Sequence, residues 1–139
     1  MHLVRPLRKE MLVTLPIFVR GEPLARPRLS RVHKKAVYQP TENQLKVLAE
    51  LQVTAPALEL NQPLIVDTYF YYTRPKSNKL LYPINGRRPG DIDNLNKGLY
   101  DNLVKAKIIT DDSLIVGGET YKLWSTDDHI LCIIWSIAS

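Results

Sequence analysis

The stretch "RRPGDIDNLNKGLYDNLVKAKIITDD", Arg87 to Asp112, decides the fold, because it runs from a punctuated loop through a helix into an acidic turn. Leu95, Leu99 and Leu103 recur every four residues, so the segment from Asp93 to about Lys105 reads as an amphipathic helix. Gly98 within it costs about 1 kcal/mol relative to alanine. Asp93, Lys97 and Asp101 share the face opposite the leucines, at the spacing of ion-pair neighbours. Asp91 and Asp93 stand where the loop enters the helix, and Asp111 and Asp112 stand just beyond its end. Each acid alone has a structural role available as a cap, a dipole partner or a turn residue. None of those roles explains the set.

Outward from this helix, "SLIVGGETYKLW" and "HILCIIWSIA" read as an antiparallel pair of strands joined by the polar turn "STDD", with Gly117 and Gly118 marking a bulge. Upstream, "LIVDTYFYYT", Leu64 to Thr73, is β-branched and aromatic and reads as a central strand. "QPTENQLKVLAELQ" opens on a capping box, Thr41 with Gln44, and continues as a helix with Leu45, Leu48, Ala49 and Gln52 at helical spacing. "MLVTLPIFV", Met11 to Val19, reads as a buried strand whose Pro16 argues for an edge or a bulge. Two long basic loops, residues 20–35 and 74–90, separate these elements. The order β-α-β-α-β-β predicts an α+β fold, a small mixed sheet of about four strands carrying two main helices. Residues 11–139 form its single domain, and residues 1–10 read as an N-terminal extension.

The chain has 139 residues, 45% hydrophobic and 24% charged, enough to bury roughly 70% of its unfolded surface in one core. No apolar run approaches the ~20 residues that cross a bilayer, and "MHLVRPLRKEM" is too short and too charged for a signal peptide. The single cysteine, Cys132, excludes an internal disulfide and a cysteine zinc cage. An intracellular protein is expected, with no membrane partner. Residues 1–40 carry nine Lys/Arg against two acids, whereas residues 91–139 carry four against eight. This asymmetry predicts a polyanion-binding surface beside a carboxylate-rich site.

A 13-residue helix is about 20 Å long, and a return through "AKII" would bring Asp111 or Asp112 back towards its start. Carboxylates gathered there would repel one another unless a divalent cation lay between them. Aspartate oxygens suit Mg2+, with Mn2+ as a substitute. A calcium EF-hand loop beginning at Asp91 fails at Leu95, Asn96 and Asn102, and no glycine-rich phosphate loop is present. His2, His33 and His129 tie to no nucleophile, so a serine triad is unsupported. A magnesium–carboxylate cluster beside basic loops points to phosphodiester hydrolysis, with a lysine stabilising developing charge.

"DIDNLNKGLYDNLVKAKIITDDSLI" closely resembles the signature of RusA-like Holliday junction resolvases: D-x-D-N-L-x-K, an Asp one turn later, then D-D before a strand. "GEPLARPRLSR" with "VYQP" resembles the basic N-terminal loop of that family, so the likeness spans about residues 14–135. It implies a homodimer that binds a four-way DNA junction and nicks two opposing strands, an activity of phage and prophage enzymes in recombination and repair. By position, Asp91, Asp93 and Asp112 match the metal-binding aspartates and Lys97 the catalytic lysine. Asp111 is the lesser member of its pair. Arg26, Arg28, Arg31, Lys34, Lys35, Arg87 and Arg88 would contact the DNA backbone, in a cytoplasmic, nucleoid-associated setting. Two other readings stand beside this one. In the first the chain is a non-catalytic nucleic-acid-binding module, its acids serving as caps and turns. In the second it is a nuclease for flaps or other branched DNA.

Overall fold

Ten residues of β-branched and aromatic character, Leu64–Thr73, form the central strand on which the rest of the chain is assembled. The computed structural model describes residues 7–23, 28–29, 36–37, 40–55, 57–84 and 90–138. In chain order its elements are β1 (Arg8–Ile17), β2 (Arg28–Leu29), β3 (Ala36–Val37), α1 (Glu42–Thr54), β4 (Leu64–Thr73), α2 (Ile92–Lys105), a 3-10 turn (Asp112–Leu114), β5 (Ile115–Gly117), β6 (Thr120–Ser125) and β7 (His129–Ala138). The α+β architecture expected from the sequence is present. The elements beyond that reading are the two-residue ribbon β2–β3, which begins inside the first basic stretch and closes just after it, and the division of one edge strand into β5 and β6.

Strand β7 lies on one side of β4, antiparallel, with β1 antiparallel beyond it; β5 and β6 lie in tandem on the other side, both parallel to β4. The expected hairpin is therefore absent. β6 and β7 run in opposite directions, but β4 separates them, and the connection at Thr126–Asp128 crosses over the end of β4. Asp128 secures that crossing by accepting a hydrogen bond from the Thr73 amide at 2.7 Å. Pro16 sits on the edge strand β1, and the register slips between Met11 and Val13. An edge tolerates the missing donor and the bulge. Residues 8–10, assigned above to an extension, are part of β1 and pair with residues 136–138.

Alternation along β4 sends Leu64, Val66, Phe70 and Tyr72 into the core with Leu15, Ile17, Ile130, Cys132 and Ile134. Both helices cover this face. From α2 come Leu95, Leu99 and Leu103, as their spacing predicts. From α1 come Gln44, Val47 and Leu51, whereas Leu45 is exposed. The inward face of α1 is thus turned from the one its leucines suggested. Its start is as expected: Thr41 accepts from the Gln44 amide, and the Gln44 side chain accepts from the Thr41 amide at 2.8 Å.

Two buried acids or amides tie the layers together. Asp67, on the opposite face of β4, is only 4% exposed. It accepts from Trp135 Nε1 and the Glu119 amide and lies 3.6 Å from Lys9 Nζ. Asn102 of α2 donates to the Gln44 carbonyl of α1 at 3.0 Å.

Candidate active site

Asp91 occupies the N-cap position of α2, yet its side chain makes no capping hydrogen bond. Asp93 lies in the first helical turn. Both are exposed, so two carboxylates stand at the positive end of a helix dipole without the Asp91 side chain serving as the cap. Lys97, also exposed, follows one turn later on the same face.

Three contacts hold this end of α2 in place. The helix is fixed next to Lys97 by Asn96, whose Nδ2 donates to Thr120 Oγ1 at 2.7 Å and whose Oδ1 accepts from Thr68 Oγ1 at 2.8 Å. The two threonine hydroxyls are 2.8 Å apart. Since Thr68 spends its proton on Asn96, Thr120 donates to Thr68 and the ring of three closes. Before the helix, Lys122 of β6 donates to the Gly90 carbonyl at 2.8 Å. Gly90 itself has φ +98°, and a Cβ there would lie 2.9 Å from Pro23 Cγ. Only glycine suits that backbone and that approach.

The contact with Pro23 has a second consequence. Residues 20–23 lead into the first basic stretch and are anchored by Tyr72, which donates to the Gly21 carbonyl, and by Asn43, which donates to Glu22. Pro23, the last described residue before the basic ones, therefore lies beside the acid pair. Of the basic residues expected at DNA, Arg28 lies on β2. Arg26, Arg31, Lys34, Lys35, Arg87 and Arg88 lie outside the described residues.

The second acid pair is elsewhere. After α2 the chain turns at Lys107, a non-glycine residue with φ +59°. It then buries Ile108 and Ile109, and the Ile109 region zips to Leu60. That apolar anchor places Asp111 and Asp112 against the last turns of α2, in an open cleft lined also by Asp101, Val104, Lys105 and Thr110. The return towards the helix start expected above reaches back as far as Asp101, where the burial of Ile108 and Ile109 under the helix end holds the segment. Asp111 caps the 3-10 turn, accepting from the Ser113 amide at 2.8 Å. That bond holds its carboxyl below the usual carboxylate range, assisted by the Ser113 side chain and then by Asp112. Asp112 is exposed and carries no such cap.

The cleft sets Asp111 and Asp112 beside Asp101, which lies eight residues, or about 12 Å, along α2 from Asp93. Among the described residues, no three of His, Cys, Asp and Glu gather as a metal group. Asp91 and Asp93 offer hard oxygens suited to a divalent ion. The full set of Asp91, Asp93, Asp111 and Asp112 does not fit around one ion within a single chain.

Asn96, Thr68, Thr120 and Lys122 were not singled out from the sequence. Lys122 could have been noticed as a cation at an inward-facing strand position, but only with the register Phe70↔Lys122 in hand.

No helix among the described residues is long and apolar enough to cross a membrane. No curated protein matches the chain. The family model described as Endodeoxyribonuclease RusA matches residues 20–134, a span that contains the acid pairs, Lys97, Asn96 and Lys122. On that match, which covers most of its length, the chain belongs to the RusA endodeoxyribonuclease family.

Proposed function

We propose that this protein is a Mg2+-dependent, structure-selective endonuclease that resolves four-way DNA junctions by paired nicks, acting as a homodimer inside the cell. The observation that carries the reading is the placement of the Asp91–Asp93 pair within a family match. The pair is exposed, held rigidly from below, and adjacent to the root of a basic segment. A carboxylate whose only purpose was capping would be bonded to the helix amides, and Asp91 is not.

A hard divalent ion, when bound, supplies an acidified water and neutralises charge developing on the scissile phosphate. The chain's own residues do the rest. Asp91 and Asp93 present acceptor oxygens for that ion. Lys97, one turn along, places a cation where a phosphate oxygen gains charge. Lys122 and Asn96 position the loop and helix that carry these groups. Arg and Lys side chains of the basic stretches neutralise flanking phosphates, which gives affinity without reading bases.

Substrate selectivity is tested by comparing cleavage of a four-way junction, a flap and a linear duplex of shared sequence. The reading expects paired nicks in the junction and at least tenfold slower cutting of the other two. Equal cutting of flap and junction would move the assignment to a general branched-DNA nuclease. Tight binding without cutting of any substrate would favour a non-catalytic binding module.

A further inference from the structure

Between β4 and α2 the chain makes a loop that belongs to neither the sheet nor the helix layer. From Arg74 to Arg88 its sequence holds five Lys/Arg and no Asp or Glu. Within it Leu80, Leu81, Tyr82 and Ile84 are 45%, 81%, 58% and 65% accessible. No other five consecutive positions among the described residues hold more than two exposed large apolar side chains. A run of this kind is unfavourable in water and marks a surface that meets a partner.

The loop has a fixed course. The Leu80 carbonyl accepts two hydrogen bonds, from Trp124 Nε1 at 2.9 Å and from the Arg74 guanidinium. Arg74 also lies over the Trp124 ring, 5.6 Å from its centroid. Asn78 Oδ1 accepts from the Leu80 amide at 3.0 Å, and the Asn78 amide donates to the Pro75 carbonyl at 2.9 Å. Pro83 is buried between the exposed Tyr82 and Ile84. These anchors hold the backbone and leave the apolar side chains accessible, so little ordering is left for a partner to impose.

Strand β6 sets where the run lies. Lys122 and Trp124 are two residues apart on one face of that strand, about 7 Å. One holds the Gly90 carbonyl, next to Asp91, and the other holds the Leu80 carbonyl. Both ends of the segment 80–90 are thus fastened to one stretch of β6, which keeps the apolar run on the side of the molecule that bears the acid pair. Lys76 and Lys79, both exposed, precede it in the same loop.

A polyanion alone would need only the lysines, and an apolar protein partner would need no excess of cations. Cations around a raised apolar run fit a nucleic acid whose base faces are accessible, as they are where strands part at a branch. We propose that Leu81 and Tyr82, with Leu80 and Ile84 beside them, pack against unpaired bases at the branch point of the DNA, while Lys76 and Lys79 contact its phosphates. This inference rests on the nuclease reading above and gives it a source of branch selectivity, since an intact duplex offers these side chains no open base face. It also ties the branch point to the cut, because the run and the acid pair are fastened to the same strand.

The test uses the full-length wild type and the double variant Leu81→Ser/Tyr82→Ser, whose changes fall at exposed positions and leave every anchor of the loop in place. Binding is measured in chelator to a four-way junction and to a linear duplex of the same sequence, each carrying 2-aminopurine, at the branch in the junction. The variant is expected to bind the junction about tenfold more weakly and to lose the rise in 2-aminopurine fluorescence that wild type produces there. Its duplex affinity stays within about twofold of wild type. Equal losses on junction and duplex would overturn the base contact. Unchanged junction affinity would overturn it too, and loss of binding to phosphatidylserine vesicles in the same variant would then identify a lipid surface as the partner. Junction nicking in Mg2+ is scored on the same preparations. A wild type that shows the expected binding differences but nicks nothing leaves the base contact standing and refutes the nuclease reading. A wild type that nicks junctions no faster than the variant, at equal affinity, does the reverse.

Discussion

Lys122 has no counterpart in a reading of the sequence, yet its ammonium is the anchor of the loop that bears Asp91. With Lys122→Met the Gly90 carbonyl loses its donor while the helix and the acid pair stay in place. Misplacement of a catalytic group by a fraction of an ångström lowers rate far more than affinity. The expected outcome is a roughly ten- to hundredfold lower single-turnover cleavage rate with junction binding unchanged. Equal losses in rate and binding would make Lys122 a DNA contact rather than a positioning residue. Burial acts just as specifically at Cys132, whose thiol is pushed up to about 12 by desolvation, with Asp67 adding to the effect. Desolvation raises the Tyr72 hydroxyl as well. Both groups keep their protons in the folded chain at pH values where the unfolded chain has begun to lose them. Their stabilisation is full below about pH 9 and declines as pH rises beyond it, by up to about 1.4 kcal/mol per unit for each group. Urea denaturation at pH 8 and pH 10.5 should show the decline, and Cys132→Ala should make it shallower.

At the level of elements, β4 and α2 were legible because their signals are local. Eight β-branched or aromatic residues in a run of ten need no partner to favour a strand, and three leucines four apart define one face of a helix. Helix α1 was legible in its start but not in its orientation. Its capping box involves neighbours in sequence, whereas Leu45, Val47, Leu48, Leu51 and Val53 spread apolar character around the cylinder and leave the buried side to be chosen by the sheet. The β6–β7 hairpin was misread for a related reason: a short polar turn suggests adjacency, and nothing local reveals that β4 is inserted between the two strands. Gly117 and Gly118 were read as a bulge, and the structure separates their roles. Gly118 has φ +148°, and a Cβ there would lie 1.9 Å from the Val66 carbonyl oxygen, whereas a Cβ at Gly117 meets nothing within 4 Å. Gly118→Ala should therefore cost more than about 1 kcal/mol, and Gly117→Ala should change stability little, as measured by thermal unfolding. Equal effects at the two sites would show that the close approach of this edge to β4 does not govern its course.

For the molecule as a whole, the charge segregation along the chain becomes a spatial arrangement. Pro23, which leads into the first basic stretch, lies against Gly90, the residue that precedes Asp91, although some 65 positions separate them in sequence. Motif spacing identified the four acids but could only bound their separation. It could not reveal that Ile108 and Ile109 pin the second pair to the far end of α2. The family match and the exposed acid pair agree on a nuclease. The most direct measurement is a time course on a labelled four-way junction with wild type and Asp91→Asn, each in excess Mg2+ and again with chelator. The account predicts paired nicks only for wild type with Mg2+, a rate at least about two orders of magnitude lower for Asp91→Asn, and junction binding retained by that variant. Cleavage that persists in chelator, or an Asp91→Asn protein that cuts as fast as wild type, would contradict it.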